Sequence, residues 1–222
     1  QDIYGFHCTC LSCQGLSVSL PCNYKHLGTE KLVQWILDRY NPHAPTPGPD
    51  VDEADLLSEP VIQVPLDNLL MPSALNADIL DQIAVLQQLA NIAMSEDDVW
   101  TELRCLANAE ILLFQHNTES FVSLSMDMYK LLCQRLSTLI VAQQSEEAMD
   151  ACTRIVAILC LALHKTPNHP LLGLQLFTLG DLYQENEQTS RATMTYQWAL
   201  EVLRISQGSA SEMVQMLREK VG

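Results

Sequence analysis

Three cysteines near the N-terminus are the residues whose types and spacing best suit chemistry. They are arranged as Cys8-x-Cys10-x2-Cys13, and the aromatic residues Tyr4 and Phe6 stand just before them. Zinc prefers four tetrahedral ligands, and thiolates separated by one and two residues can hold one side of such an ion. The spacing therefore predicts a zinc site that takes three ligands from this segment. Three ordinary, half-buried thiols are the alternative interpretation.

The fourth ligand of such a site must come from elsewhere. Cys22 and His26 follow closely enough to complete the tetrahedron within this chain, although either could equally be a solvent-facing loop residue. The other cysteines lie inside apolar helical patterns, and they are Cys105, Cys133, Cys152 and Cys160. This distribution indicates one metal site plus buried free thiols in a reducing compartment.

The composition is that of a globular protein with a substantial core. The chain has 222 residues, of which 48% are hydrophobic and 18% charged. It contains no uninterrupted apolar run of about 18 residues, so we expect no membrane span. The N-terminus has no signal-peptide pattern, which predicts an intracellular protein, cytoplasmic or nuclear or both. Because the chain does not start with Met, we expect that Gln1 is not its natural start.

The charge is strongly acidic and unevenly spread. The formal net charge is −15, and between Pro42 and Thr118 thirteen acidic residues face a single cation, Arg104. Such a balance argues against nucleic-acid binding, which depends on neutralising phosphates with Lys and Arg. It favours a protein partner with a Lys-rich segment, either a histone or another protein. A solvated surface and an acidic linker would explain the same acids without any partner.

The elements that must position these residues begin with one short helix. Thr29–Tyr40 is predicted to be helical, with Leu32, Trp35, Ile36 and Tyr40 on one face. Residues 41–55 contain four prolines and an acidic run, which is typical of a linker. Residues 56–72 are apolar but interrupted by prolines, and we expect extended or irregular chain there.

From Ser73 onward the sequence predicts helices joined by short turns. Their expected ranges are Ala77–Met94, Asp97–His116, Thr118–Gln143, Ser145–Lys165, Pro170–Gln184, Thr189–Ser206 and Ser209–Val221. In the second of these helices, Ser95 is the expected cap, and one side should carry Trp100, Leu103, Ala107, Ile111 and Phe114. Short connections between amphipathic helices are typical of antiparallel helix pairs. The predicted fold is therefore mainly α, with a Cys-rich zinc module at 1–28, a mixed segment at 29–72 and a helical domain at 73–222.

An internal repeat is visible within the helical domain. The stretch Leu179-Gly180-x2-Tyr183-x8-Ala192-x3-Tyr196-x2-Ala199-Leu200 matches the tetratricopeptide pattern. The preceding pair follows it more loosely, at Leu132, Leu139, Ala148, Cys152 and Ile155. Ala148 and Ala192 are 44 residues apart, longer than the usual period of about 34. A helical bundle without repeats is the alternative.

The cysteine segment followed by long tetratricopeptide-like helices resembles the C-terminal part of the SET and MYND domain protein lysine methyltransferases. The resemblance covers Tyr4 to Cys13 and residues 120–215, including the turn Thr166-Pro-Asn-His-Pro170. It implies that Cys8, Cys10 and Cys13 bind the post-SET zinc, whose fourth ligand in that family is a cysteine of the SET core. It also implies that Tyr4 lines the channel for the target lysine and that Phe6 contacts the adenine of S-adenosylmethionine.

The sequence departs from that family in lacking the MYND finger and the SET core. The resemblance therefore implies the C-terminal portion of an S-adenosylmethionine-dependent protein lysine methyltransferase, inactive without the missing core. A peptide partner on the helical array is a further expectation. The rival hypothesis is a non-catalytic helical-repeat scaffold with a small zinc knuckle that supplies all four ligands itself. An inactive regulatory isoform, with its zinc site unsaturated, is a third.

Overall fold

The structure is a computed structural model that describes residues 17–21, 29–43, 61–65, 77–116 and 125–222. These residues are mainly helical, as the sequence predicts. The helices are α1 Thr29–Tyr40, α2 Ala77–Ser95, α3 Val99–His116, α4 Met126–Val141, α5 Ser145–Ala162, α6 Pro170–Glu185, α7 Thr189–Gln207 and α8 Glu212–Val221. Two short strands accompany them, β1 Ser17–Pro21 and β2 Val61–Pro65.

The strands form an antiparallel pair that the sequence analysis did not predict as a pair. Val18 lies opposite Val64, and Leu20 opposite Ile62. β-branched and other apolar residues at facing positions are typical of paired strands. The extended chain expected at 56–72 is confirmed at β2, whereas β1 falls in the segment that was assigned to the cysteine module.

Three helix–helix connections share one backbone geometry. Asp97, Gln143 and Glu187 follow α2, α4 and α6, and their φ angles are 59°, 58° and 60°. In each case the backbone N–H of the next residue donates to the carbonyl oxygen five residues earlier. These hydrogen bonds run from Asp98 to Ala93 (2.9 Å), from Gln144 to Leu139 (2.9 Å) and from Gln188 to Tyr183 (2.8 Å). A left-handed residue followed by this bond is the Schellman helix end, which satisfies carbonyls that the helix leaves open. The next helix therefore starts at once and runs back along the first.

The helical domain is consequently a series of three pairs with a period of about 45 residues. Gln144 lies 46 residues after Asp98, and Gln188 lies 44 after Gln144. Within each pair the helices pack side by side (α2 on α3, α4 on α5, α6 on α7), and α3 on α4, α5 on α6 and α7 on α8 connect the series. The sequence analysis found the second and third pairs but not the first.

Small and aromatic residues fill the positions that the repeat pattern assigns to them. Tyr183, Ala192, Tyr196 and Ala199 are all buried. Gly180 is required because a Cβ placed on it would lie 2.5 Å from two ring carbons of Tyr196. The packing of α6 on α7 therefore depends on the missing side chain.

Helix α1 joins the core from outside the series of pairs. Leu32 and Ile36 are buried, and Trp35 and Tyr40 are partly buried against the core, which confirms the predicted face. The helix packs on α5. Just beyond its end, His43 Nε2 lies 3.3 Å from Glu201 Oε1 on α7.

Helix α3 differs from the prediction in its cap and in its buried side. Ser95 is the last residue of α2, and the N–H of Thr101 is instead accepted by Asp98 Oδ1 at 3.1 Å, so Asp98 caps α3. Trp100, Ile111 and Phe114 are exposed, whereas the buried side carries Leu106, Ala109 and Leu113 with Glu102, Cys105 and Glu110. The apolar stripe was misassigned because α3 is apolar on more than one side.

A buried ionic cluster connects the first two pairs. Glu110 on α3 accepts from Arg135 Nη1 on α4 and from Arg154 Nη1 on α5, both at 2.6 Å. The guanidinium of Arg154 also lies 5.7 Å from the centroid of the Phe114 ring. One carboxylate thus holds cations from two further helices.

Candidate functional site

The residues predicted to carry the chemistry lie outside the described part of the chain. They are Tyr4, Phe6, Cys8, Cys10 and Cys13, together with the alternative ligands Cys22 and His26. Within the described ranges, no group of three or more His, Cys, Asp or Glu residues is arranged to hold a metal ion. The zinc site, the lysine channel and the adenine contact therefore stay predictions.

The four cysteines of the helical domain are free thiols rather than ligands in a cluster. Cys105, Cys152 and Cys160 are buried and Cys133 is half-buried. Burial raises the pKa of the Cys152 and Cys160 thiols well above the ordinary value of 9.0. Because the thiolate is the nucleophile and the metal ligand, these two side chains are chemically inert in the fold. The prediction of buried free thiols is confirmed for three of the four cysteines.

A cavity of about 200 Å³ lies where the first and second helical pairs meet. On one side it is bounded by the α2–α3 turn and the start of α3, and on the other by the second half of α4. Its lining residues are Met94, Asp97, Val99, Glu102, Gln134, Ser137, Thr138 and Val141. We call this space the Glu102 pocket.

Glu102 is the unusual member of this lining. The residue is only 4% exposed, and within the described part of the chain its carboxylate has no hydrogen bond or ion pair. Asp97 lines the same pocket from the exposed turn, and no Lys or Arg lines it. A buried carboxylate without a partner loses hydration and gains nothing in return, which costs stability.

The repeat shows what this position normally holds. Glu102, Ala148 and Ala192 each donate their backbone N–H to the residue that ends the preceding turn, at 3.0, 2.9 and 2.9 Å, so they are equivalent. Ala148 and Ala192 are 0% and 2% exposed. The first pair therefore places a carboxylate where the other two place a buried methyl group.

The next boundary along the series, between the second and third pairs, is closed by hydrogen bonds. Ser145 Oγ donates to Glu185 Oε2 at 3.4 Å, and Asn186 Nδ2 donates to the Ser145 carbonyl at 3.2 Å. At the Glu102 pocket, the positions equivalent to Ser145 and Glu185 are Val99 and Val141. Ala142 occupies the position equivalent to Asn186, and since valine and alanine side chains cannot make these bonds, the boundary stays open at the pocket.

Sequence reasoning missed Glu102 because the first pair was not recognised as part of the repeat. The signal was available in the spacing, since aligning Asp98 with Gln144 and Gln188 places Glu102 on Ala148 and Ala192. An acid in a column of buried alanines is conspicuous, whereas an acid in an isolated helix is not.

A second cavity has the opposite charge. It measures about 310 Å³ and is lined by His43, Gln197, Leu200, Glu201, Arg204 and Arg218. The sequence showed no clustering of Arg204 and Arg218, and the fold brings them together. Three other cations of the helical domain are paired with carboxylates, Arg135 and Arg154 with Glu110 and Lys220 with Asp181.

In the part of the chain that the structure describes, no helix has the length and apolar character to span a bilayer. A comparison with protein-family models and a comparison with curated proteins each gave no match for this chain.

Proposed function

We propose that the chain is the C-terminal portion of a SET-type, S-adenosylmethionine-dependent protein lysine methyltransferase. The proposal joins the Tyr4-to-Cys13 segment, read as a post-SET zinc site, to the helical domain behind it. The observation that carries it is the repeated helical pair, whose Schellman turns recur with a period of about 45 residues. Tetratricopeptide-like pairing of this kind is what the resemblance leads us to expect after a post-SET segment.

In this proposal the helical domain forms one wall of the cleft that receives the substrate protein. An intracellular partner with a Lys-rich segment suits a chain whose formal charge is −15. The catalytic core would supply the methyl donor site, so this chain alone should transfer no methyl group.

Zinc content tests the proposal. The chain and a form extended by its upstream coding sequence are purified, and their zinc is measured by mass spectrometry. We expect the extended form to lose one zinc per chain in Cys10→Ser and in Cys13→Ser, and to transfer methyl groups to a Lys-rich protein, which the chain alone should not do. If both substitutions leave the zinc content and the methyl-transfer activity unchanged, the post-SET assignment is refuted.

The same helical geometry also favours a second candidate, the non-catalytic interaction scaffold with its own zinc knuckle. The scaffold predicts a stop codon directly upstream and full zinc occupancy in this chain, with Cys22 or His26 as the fourth ligand. The methyltransferase predicts an upstream frame that encodes an Asn-His-x-Cys segment. Sequencing the 5′ end of the transcript separates them.

A further inference from the structure

We infer that the Glu102 pocket is a binding site for the side chain of a lysine or arginine presented by a protein partner. The inference names a site for the basic partner proposed above and rests on that proposal only for the partner's class.

The charge of the pocket calls for a cation. Glu102 is buried without a partner among the described residues, and Asp97 adds a second carboxylate at the same opening. The opposite charge is absent from the lining. An ammonium or guanidinium group placed beside Glu102 would complete a charge-assisted hydrogen bond.

The residues that line the pocket favour a long cationic side chain over a metal ion. Met94 and Val141 are 56% and 69% exposed, and with Val99 they give the pocket an apolar surface beside the carboxylates. Lysine and arginine combine an aliphatic stem with a charged end, so the stem can lie on this apolar surface while the charged end reaches Glu102. Asp97 and Glu102 are the only acidic residues of this lining, and within the described ranges no group of three or more His, Cys, Asp or Glu residues is arranged to hold a metal ion.

The origin of the pocket indicates a function rather than a packing defect. Two changes coincide at one boundary: Glu102 replaces the buried alanine of the repeat, and Val99 and Val141 replace the residues that bond across the next boundary. Each change alone breaks a rule of the repeat, and together they make an open acidic cavity. Departures from an otherwise consistent pattern are expected at functional sites.

A labelled peptide tests the inference on the 222-residue chain. The probe is a fluorescein-labelled peptide of alternating lysine and alanine, and its dissociation constant is measured by fluorescence anisotropy. Glu102→Gln should weaken binding about tenfold or more, because the charge-assisted hydrogen bond to the carboxylate is lost. Glu96→Gln and Glu212→Gln remove the same charge from exposed positions outside the pocket, and each should change binding less than about twofold. A peptide with norleucine in place of lysine should not bind.

A double variant distinguishes specific binding in the Glu102 pocket from general attraction between opposite charges. Val99→Ser with Val141→Glu rebuilds the bond seen between Ser145 and Glu185, and it adds a negative charge. A specific pocket would be closed and binding would weaken, whereas non-specific attraction would strengthen it. Stronger binding in this double variant, or equal weakening in Glu102→Gln, Glu96→Gln and Glu212→Gln, would overturn the inference.

Thermal unfolding completes the test. Glu102→Gln removes an unpaired buried charge, so its melting temperature should equal or exceed that of the parent chain. A lower value would show that the carboxylate has a structural role and would overturn the inference. The outcome is independent of catalysis: a chain that binds the peptide but carries no post-SET zinc would refute only the proposed function, and the reverse result would refute only the pocket.

Discussion

Gly180 lies directly against the ring of Tyr196, so close that a Cβ at position 180 would be 2.5 Å from the ring atoms Cδ1 and Cε1. The ring is held in place because the Tyr196 hydroxyl lies 2.6 Å from Asp181 Oδ1 and the Lys220 ammonium lies 4.9 Å from the ring centroid. This contact fixes how closely α6 approaches α7.

Gly180→Ala should therefore destabilise the domain although alanine favours a helix. Overpacking of a filled core costs about 1–3 kcal/mol, which outweighs a propensity gain of about 1 kcal/mol. Urea unfolding followed by circular dichroism measures the difference. In a Tyr196→Ala background the clash is removed, and Gly180→Ala should become neutral or stabilising. An equal loss in both backgrounds would contradict the contact.

The cluster of Glu110, Arg135 and Arg154 makes a separate prediction. Glu110→Gln leaves two guanidinium groups without their carboxylate, and breaking a buried pair in this way costs about 3–5 kcal/mol. The matched control is the exposed pair of Lys130 and Asp127, 3.4 Å apart, where Lys130→Ala should cost less than about 1 kcal/mol.

Replacing all three members of the cluster by apolar residues distinguishes charge from packing. Glu110→Leu, Arg135→Met and Arg154→Leu together should recover most of the stability lost in Glu110→Gln, because no buried charge is left without a partner. A triple variant as unstable as Glu110→Gln would show that the side-chain shapes, rather than the ion pairs, hold these helices. Chemical unfolding provides the comparison.

Alkaline pH should weaken the junction of α6, α7 and α8. Burial, followed by the hydrogen bond to Asp181, raises the pKa of Tyr196 from 10.0 to about 12. The hydrogen bond to Asp181 also raises the pKa of Lys220 above 10.5. For both groups the unfolded chain releases its proton first, so their stabilisation is complete below about pH 10 and is lost as the pH rises toward 12.

The unfolding free energy measured from about pH 9 to about pH 12 tests this sign, since this range runs from roughly one unit below to roughly two units above the ordinary pKa of tyrosine. Tyr196→Phe and Lys220→Met should each make the alkaline decline shallower than in the parent chain. Burial also raises the pKa of Tyr129 to about 12, and this residue contributes equally to the parent chain and to the two variants. Identical slopes would mean that the Tyr196 and Lys220 protons are not coupled to folding.

Much of the helical architecture could be predicted from local periodicity. The bounds of α1 are those predicted, and the spacing of Leu179, Gly180, Tyr183 and Ala192 indicates a helical pair from the sequence alone. Such features depend on neighbours in the sequence. The turns are less visible because their left-handed residues are Asp97, Gln143 and Glu187 instead of glycine.

The candidate site could not be predicted, because Glu102 stands out only when residues far apart in the sequence are compared. Glu102 is significant only beside Ala148 and Ala192, and Val141 only beside Glu185. Likewise, the pairing of β1 with β2 joins residues that are 40 to 48 positions apart. The exposed side of α3 is set by which neighbouring helices cover its other side. Tertiary context decides these features.

Helix α1 changes how the array can come apart. Pairs that touch only their neighbours would fray one after another from either end. Because α1 precedes all three pairs in the chain yet packs on α5 in the middle pair, and because His43 reaches Glu201 on α7, separating those pairs must also release α1. The middle and final pairs therefore share one cooperative unit with α1, whereas the first pair is held to the middle pair by its own interface and by the Glu110 cluster.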